Sequence, residues 1–122
     1  MTNVEDETPA TLVKRIVRGI PKGRAATYGT VGRAAAAVGR PIGGARTVAW
    51  ILASLKGKDD TPWQRVVGAG GVILLPDRRG ATQMSRLKQD GVRFSKTRIE
   101  PSCLIGEGEL LSLLLRRRKP RA

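Results

Sequence analysis

The chain has 122 residues, enough for one small domain with a single core. Its 23 Lys and Arg against 10 Asp and Glu give a formal net charge of +13, so a polyanion such as nucleic acid is the expected partner. There is no His and a single Cys, which excludes Ser-His-Asp and Cys-His catalysis, intrachain disulfides and zinc sites made of paired cysteines.

The predicted localisation depends on two missing sequence features, a membrane-spanning apolar run and a secretory signal. No apolar run approaches the ~20 residues of a membrane-spanning helix, and no secretory signal pattern is present. We therefore expect a cytoplasmic, nucleoid-associated protein that does not bind membranes. Cys103 has no His and two apolar residues after it, so we predict an inert thiol.

The first half of the chain predicts three helices. Residues 9–18 alternate apolar and basic residues at helical spacing, with Thr8 as the predicted cap. Thr30 is predicted to cap a second helix over 31–38, and a third covers 45–55. Because a glycine-bearing turn joins the last two, they predict a helix-turn-helix whose second helix meets DNA.

The second half predicts a wing and two more helices. Residues 65–67 and 72–75 flank the glycine-rich stretch 68–71, a pattern typical of a short hairpin. Residues 80–89 are predicted to be helical, and 110–115 predict a final helix.

The predicted fold class is mainly α with a short β wing, a winged helix-turn-helix. We expect a flexible N-terminus over 1–8, the domain over 9–100, and a C-terminal extension over 101–122. That extension ends in a basic run over 116–121, predicted to be a disordered phosphate-binding tail. A solvated tail without function is the alternative.

One hexapeptide, Pro62-Trp63-Gln64-Arg65-Val66-Val67, resembles the active-site segment Pro-Cys-His-Arg-Val-Val/Ile of the O6-alkylguanine-DNA alkyltransferases. The resemblance runs from about residue 11 to 92. Its other markers, in chain order, are Pro21-x-Gly23, Thr27-Tyr28-Gly29, Gly44-Ala45-Arg46-x-Val48, Gly70-Gly71 and Gln83-x-x-x-Leu87-x-x-x-Gly91-Val92. Any one of them alone is weak, but together and in order they are specific. The chain is thus similar to the C-terminal, DNA-binding domain of that family.

The hexapeptide departs from the family at its two reactive positions. Trp63 stands where the family has its alkyl-accepting cysteine, and Gln64 stands where it has a histidine. Indole carbon accepts no alkyl group, and an amide is no general base. The resemblance therefore implies a non-enzymatic protein without catalytic residues, cofactor or metal.

The resemblance also implies a function. It implies a monomer that binds O6-alkylguanine in double-stranded DNA, flips the base and flags it for nucleotide-excision repair proteins. An active alkyltransferase, the first alternative, would need a cysteine at position 63. A winged-helix regulator, the second, would need a dimer interface and residues that read the major groove.

Site residues follow from the family motifs. Tyr28 matches the tyrosine that presses on the 3′ phosphate and rotates the nucleotide, and Arg46 matches the arginine that enters from the minor-groove side and fills the vacated space. Trp63 would floor the lesion pocket, with residues 72–79 as its wall and the apolar stretch 73–75 favouring larger adducts. The further lesion or DNA contacts implied by the motifs are Thr27, Gly44, Ala45, Gln64, Arg65, Val67 and Gly68. Just after Val48, where the family usually has glycine, this chain has Ala49 and then the large Trp50.

Overall fold

The computed structural model describes residues 7–118. Within that range the chain forms five helices, α1 (Pro9–Arg18), α2 (Tyr28–Ala37), α3 (Ala45–Ala53), α4 (Asp77–Gln89) and α5 (Glu107–Arg118). Strand β1 (Ala26–Thr27) pairs in parallel with β2 (Val66–Val67), and β3 (Phe94–Ser95) pairs antiparallel with β4 (Arg98–Ile99). Residues 1–6 of the predicted flexible N-terminus over 1–8 lie outside the described residues, as do residues 119–121 of the predicted disordered tail over 116–121. Residues 116–118 of that tail belong to α5, contrary to the prediction. No helix in 7–118 is long and apolar enough to cross a membrane.

Helix α1 confirms the local signals of its sequence. The Thr8 hydroxyl accepts a hydrogen bond from the Thr11 N–H at 3.1 Å, and Pro9 occupies the first turn, where no N–H is needed. Its apolar positions form one buried face of the core, made of Leu12, Val13, Ile16 and Val17.

Helix α2 begins three residues earlier than predicted. Thr27, not Thr30, is its cap: the Thr27 backbone is extended, and its hydroxyl accepts from the Thr30 N–H at 3.0 Å. Both threonines can cap a helix, and the pairing of β1 decides between them, because it holds Thr27 in the extended conformation that a cap requires. Tyr28 consequently lies on the first turn of α2 rather than on a turn before it.

The core forms two adjoining clusters. The larger one joins α1, α2 and α3 with β2, and it also takes in Ile105, Leu110 and Leu114 from the C-terminal segment. Leu114 lies directly over Gly19, where an added Cβ would be 2.8 Å from its Cδ2. The final helix is thus confirmed and longer than predicted, and residues 105–114 of the predicted extension pack into the core of the preceding segment. The second cluster consists of Ala25, Val67, Leu87, Val92, Ile99 and Cys103.

The predicted hairpin over 65–75 is much shorter than expected. Val66 and Val67 pair with β1, and a single bridge between Gly68 and Val72 is what remains of the hairpin. Gly70 and Gly71, with positive φ values of 73° and 86°, turn the chain within one short 3₁₀ turn between Gly68 and Val72. An antiparallel pair forms instead from β3 and β4, close to Gly71.

Two helix boundaries also differ from prediction. Helix α3 ends at Ala53, two residues early, and α4 begins at Asp77 rather than at Gly80. The chain before α4 folds back over Gly80, where an added Cβ would collide with the Leu75 carbonyl oxygen. Its role is close packing rather than helix initiation.

Two helical glycines give a matched test of this packing. We expect Gly80→Ala to destabilise the protein by roughly 1–3 kcal/mol, because the methyl group meets backbone that cannot rotate away. Gly108→Ala in α5, where nothing lies within 4 Å of an added Cβ, should instead stabilise by roughly 0.5–1 kcal/mol. Urea unfolding of both variants measures the difference, and equal midpoints would contradict the close approach of Leu75 to α4.

Candidate nucleic-acid interface

A small cavity brings together the two aromatic residues predicted for the site. It has a volume of about 20 Å³, and its walls come from α2, α3, α4 and the segments before β2 and α4. The residues that line it are Tyr28, Ala49, Leu52, Ala53, Trp63, Leu75 and Arg79. The pairing of Thr27 with Val67 explains the arrangement, since Tyr28 follows one strand and Trp63 precedes the other by a single 3₁₀ turn.

The cavity is narrow as it stands. Pockets that enclose small molecules usually measure about 300–1,000 Å³, far more than this one. Leu75 and Arg79 are lining residues outside the core: Leu75 is partly exposed and Arg79 is exposed. Of the predicted apolar wall, Leu75 lines the cavity, whereas Ile73 packs on the second core cluster and Leu74 lies over Gly68.

A second cavity lies against Trp63. Its volume is about 230 Å³, and it shares Trp63 and Arg79 with the first. The other residues that line it are Leu52, Leu55, Lys56, Gly57, Asp59 and Arg86. The Arg86 guanidinium stands 5.4 Å from the centre of the Trp63 ring, within range of a cation–π interaction. The indole is therefore held between basic residues, in surroundings that suit an electron-rich or anionic ligand.

Tyr28 is half-buried beside this charge. Burial raises the pKa of its phenol above the usual value, and the nearby positive charge of Arg79 opposes that shift only in part. The hydroxyl therefore stays protonated at neutral pH. It can donate a hydrogen bond to an anionic acceptor such as a phosphate oxygen.

The loop before Trp63 is fastened to α1 by acidic residues. The Asp59 carboxylate lies 2.7 Å from the Lys14 ammonium and accepts from the Thr61 N–H at 2.9 Å. The hydrogen bonds from Lys14 and then from Thr61 hold the pKa of Asp59 well below its usual range. Asp60 adds a contact of 2.9 Å to Arg18. These contacts hold the chain segment that precedes Trp63 against α1.

The other side of the segment is held by Gln83, a residue that the sequence marked only as part of a motif. Its side chain is fully buried in α4, and its Nε2 donates to the Val66 oxygen at 2.8 Å and to the Gln64 oxygen at 3.2 Å. Gln64 accepts this hydrogen bond through its main-chain oxygen and not through its side-chain amide. The sequence signal for this role was a glutamine at a position of α4 that the amphipathic pattern places on the buried face.

Arg65 braces the same segment. Its Nη1 donates to the Ile20 carbonyl at 2.9 Å, and its Nε lies 3.4 Å from an Asp90 carboxylate oxygen. Both side chains of the ion pair are mostly buried, so Arg65 points into the fold rather than toward solvent. This geometry ties β2 to the end of α1 and to the end of α4.

The remaining candidates divide into two groups. Val67 is fully buried, and the Gly68 N–H donates to the Val72 oxygen at 2.7 Å, so both belong to the fold rather than to the cavity. Gly44, Ala45 and Arg46 are exposed at the beginning of α3. Gly44 has a φ of 89°, a conformation that favours glycine.

Helix α3 connects this exposed end with the cavity. Arg46, Ala49 and Ala53 are three and four residues apart and thus share one face of the helix. Ala49 and Ala53 line the cavity, and Arg46 lies at the exposed beginning of the same face. The structure therefore brings Tyr28, Trp63 and the Arg46 helix to one side of the molecule.

Comparisons with known proteins identify the family of the chain. Residues 10–92 match the family model of the 6-O-methylguanine DNA methyltransferase, DNA binding domain. A DNA base-flipping protein of Vibrio parahaemolyticus serotype O3:K6 (strain AQ3810) is 35% identical over 81 residues, which make up 66% of this chain and 77% of that protein.

Solved structures show the same fold. The crystal structure of S. pombe Atl1 in complex with damaged DNA containing O6-carboxymethylguanine matches with a TM-score of 0.63 and 30% identity. A second structure, of S. pombe ATL in complex with DNA, matches with a TM-score of 0.63 and 28% identity. Each match covers 79% of this chain and 93% of the other chain. The chain belongs to the family of the 6-O-methylguanine DNA methyltransferase DNA-binding domain, as an alkyltransferase-like protein.

Proposed function

We propose that this protein recognises O6-alkylguanine in duplex DNA and holds the flipped base without removing the alkyl group. The observation that carries the proposal is the cavity between Tyr28 and Trp63, which opens beside the face of α3 that bears Arg46. The names of the relatives support it, since one is a base-flipping protein and another was solved on alkylated DNA.

Base flipping follows from where the lesion lies. The O6 edge of guanine is engaged in pairing inside the duplex, so an alkyl group there can be inspected only when the base leaves the stack. Tyr28 donates its phenolic hydrogen to the phosphate of the target nucleotide. Arg46 enters the vacated position, where its planar guanidinium can stack on and donate to the orphaned base.

Trp63 contacts the alkyl group but does not react with it. Its indole offers a flat apolar surface to the alkyl group, and the cation–π contact with Arg86 holds the ring in place. Leu75 and Arg79 move aside to admit the base and then close on it. A bound adduct therefore gains dispersion contacts but meets no nucleophile.

The proposal extends to the fate of the lesion. A bound lesion is passed on to nucleotide-excision repair proteins by a monomer acting in the cytoplasm on the nucleoid. This part of the proposal is supported by the family resemblance. A protein that occupies O6-alkylguanine also competes with true alkyltransferases for their substrate.

The first prediction separates binding from chemistry. Duplex DNA that carries radiolabelled O6-methylguanine should bind to the protein without transferring label, because Trp63 cannot accept a methyl group and Cys103 is 5% exposed within the second core cluster. Gel electrophoresis under denaturing conditions measures the transfer. Label on Cys103 would overturn the proposal. Trp63→Cys should also transfer poorly, because the amide of Gln64 cannot activate a thiol.

The second prediction concerns the flipping residues. Tyr28→Ala and Arg46→Ala should each weaken binding to lesion DNA by roughly 1–3 kcal/mol, the scale of stacking or unstacking one base, with a smaller effect on normal duplex. Arg116→Ala, which also removes one exposed arginine, is the matched control and should change the two affinities equally. A fluorescent base analogue beside the lesion reports extrusion, and unchanged extrusion by Arg46→Ala would remove Arg46 from this role.

The third prediction concerns the basic C-terminus. Deleting residues 119–122 removes Lys119 and Arg121 from a segment outside the described residues. The logarithmic salt dependence of DNA affinity should become shallower by about 0.9 for each phosphate that the shortened chain no longer neutralises. The ratio of lesion to normal affinity should stay as in the parent protein. A fall in that ratio would mean that the tail takes part in reading the lesion.

A further inference from the structure

We propose that Trp50 is a second aromatic contact to DNA, with its indole packed against the minor-groove surface of the duplex one helical turn from Arg46. The inference rests on the proposed function, because it takes the DNA-facing side of α3 from there. It adds a residue that binds the duplex itself, independently of the lesion.

The exposure of Trp50 is the first observation. The side chain is 72% exposed, although an indole is among the largest apolar groups a protein can carry. It stands on α3 opposite the buried face of that helix, which consists of Val48, Ile51 and Leu52. The fold itself therefore makes little use of this ring.

The position of Trp50 on the helix is the second observation. Trp50 lies four residues after Arg46 and three before Ala53, so the three residues share one face of α3. Ala49 and Ala53, on the same face, line the cavity between Tyr28 and Trp63. The exposed ring thus stands on the side of the helix that faces DNA in the proposed complex, between the inserted arginine and the rim of the cavity.

The spacing places Trp50 beside the flipped nucleotide rather than in its place. Four residues of α-helix span about 6 Å, and successive base pairs are about 3.4 Å apart. When Arg46 fills the vacated position, Trp50 is therefore displaced by up to about two base-pair steps. Its neighbours there are intact base pairs and their sugars.

The chemistry of indole fits that location. Apolar side chains pack on the sugars and wedge between base steps in the minor groove. The indole N–H can only donate, and the minor-groove edges of adenine and thymine offer only acceptors. Exposed Arg46 supplies the charge that draws this face to phosphates. Ala45 and Ala49 are small, so the backbone can come close beside them, and Trp50, directly after Ala49, is the large apolar group on this face.

Two single-tryptophan variants test the proposal directly, because the chain has two tryptophans. In Trp63→Phe, Trp50 is the sole tryptophan. We expect its emission to change, and its quenching by acrylamide to fall, on addition of either normal or O6-methylguanine duplex. In Trp50→Phe, Trp63 is the sole reporter. Its emission should respond to the lesion duplex far more than to the normal one.

Affinity gives the second measurement. Trp50→Ala should weaken binding to normal and lesion duplexes alike by about tenfold, the effect expected of removing one aromatic side chain that stacks on a nucleic acid. The ratio of the two affinities should not change. The variant should fold normally, because the replaced side chain is exposed and alanine favours the helix. Leu115→Ala, which removes a 63% exposed leucine from α5, is the control and should leave both affinities as they are.

The outcomes separate this inference from the function on which it rests. If the parent protein binds lesion DNA while Trp50 stays fully open to acrylamide, Trp50 is not a DNA contact and the proposed function stands. If Trp50 becomes protected at high protein concentration without DNA, the ring is a protein contact and the inference is wrong. If the parent protein binds neither the normal nor the lesion duplex, the proposed function itself fails.

Discussion

The parallel pairing of β1 with β2 is the contact on which the candidate site depends. Each strand has two residues, and Thr27 is both the end of β1 and the cap of α2. The pairing therefore sets where α2 begins, and with it where Tyr28 stands relative to Trp63. A pair of strands this short is weak by itself, since isolated pairs are marginal even when longer. Side-chain donors make up the difference, with Gln83 bound to the oxygen of β2 and Arg65 bound to the chain after α1.

The charged side chains of this protein fall into two groups, those that pair with each other within the fold and those that surround the cavity. In the part of the chain that the structure describes, seven of the carboxylates form ion pairs with arginine or lysine, namely Glu7, Asp59, Asp60, Asp90, Glu100, Glu107 and Glu109. Carboxylates that could repel phosphate are thus neutralised at fixed places in the fold. The cations around the cavity, among them Arg79 and Arg86, face a ligand site with a single acidic side chain, Asp59, which Lys14 already pairs. A polyanion therefore meets a surface on which most of the negative charge that would repel it is already paired with arginine or lysine.

The sequence predicted those parts of the fold that local signals determine. The cap and apolar face of α1 lie within a few residues of each other, and the apolar residues of α3 and of the final helix recur at short helical spacing. The beginning of α2 was predicted wrongly because Thr27 and Thr30 are both acceptable caps, and a strand far along the chain makes the choice. The hairpin of β3 and β4 was missed because its turn has Lys96 at a φ of 59°, where a glycine or asparagine is the usual signal.

The candidate site divides along similar lines. The motif placed Tyr28 and Trp63 in one site, and the structure puts both in the wall of one cavity. Spacing could not show that Gln83 reaches two main-chain oxygens of the Trp63 segment, because that contact depends on how α4 crosses it. Nor could it show that the apolar stretch 73–75 divides, with each side chain packing against a different part of the molecule.

The burial of Cys103 has a practical consequence. The thiol lies inside the second core cluster, where the Arg93 N–H approaches its sulfur at 3.5 Å, and it is the sole cysteine of the chain. Maleimide reagents need an accessible thiolate, so the native protein should take up little of them. A cysteine introduced at an exposed position then becomes the one reactive handle. A spin label or dye can be attached there, and its distance to a label on a bound duplex can be measured without first removing the native cysteine.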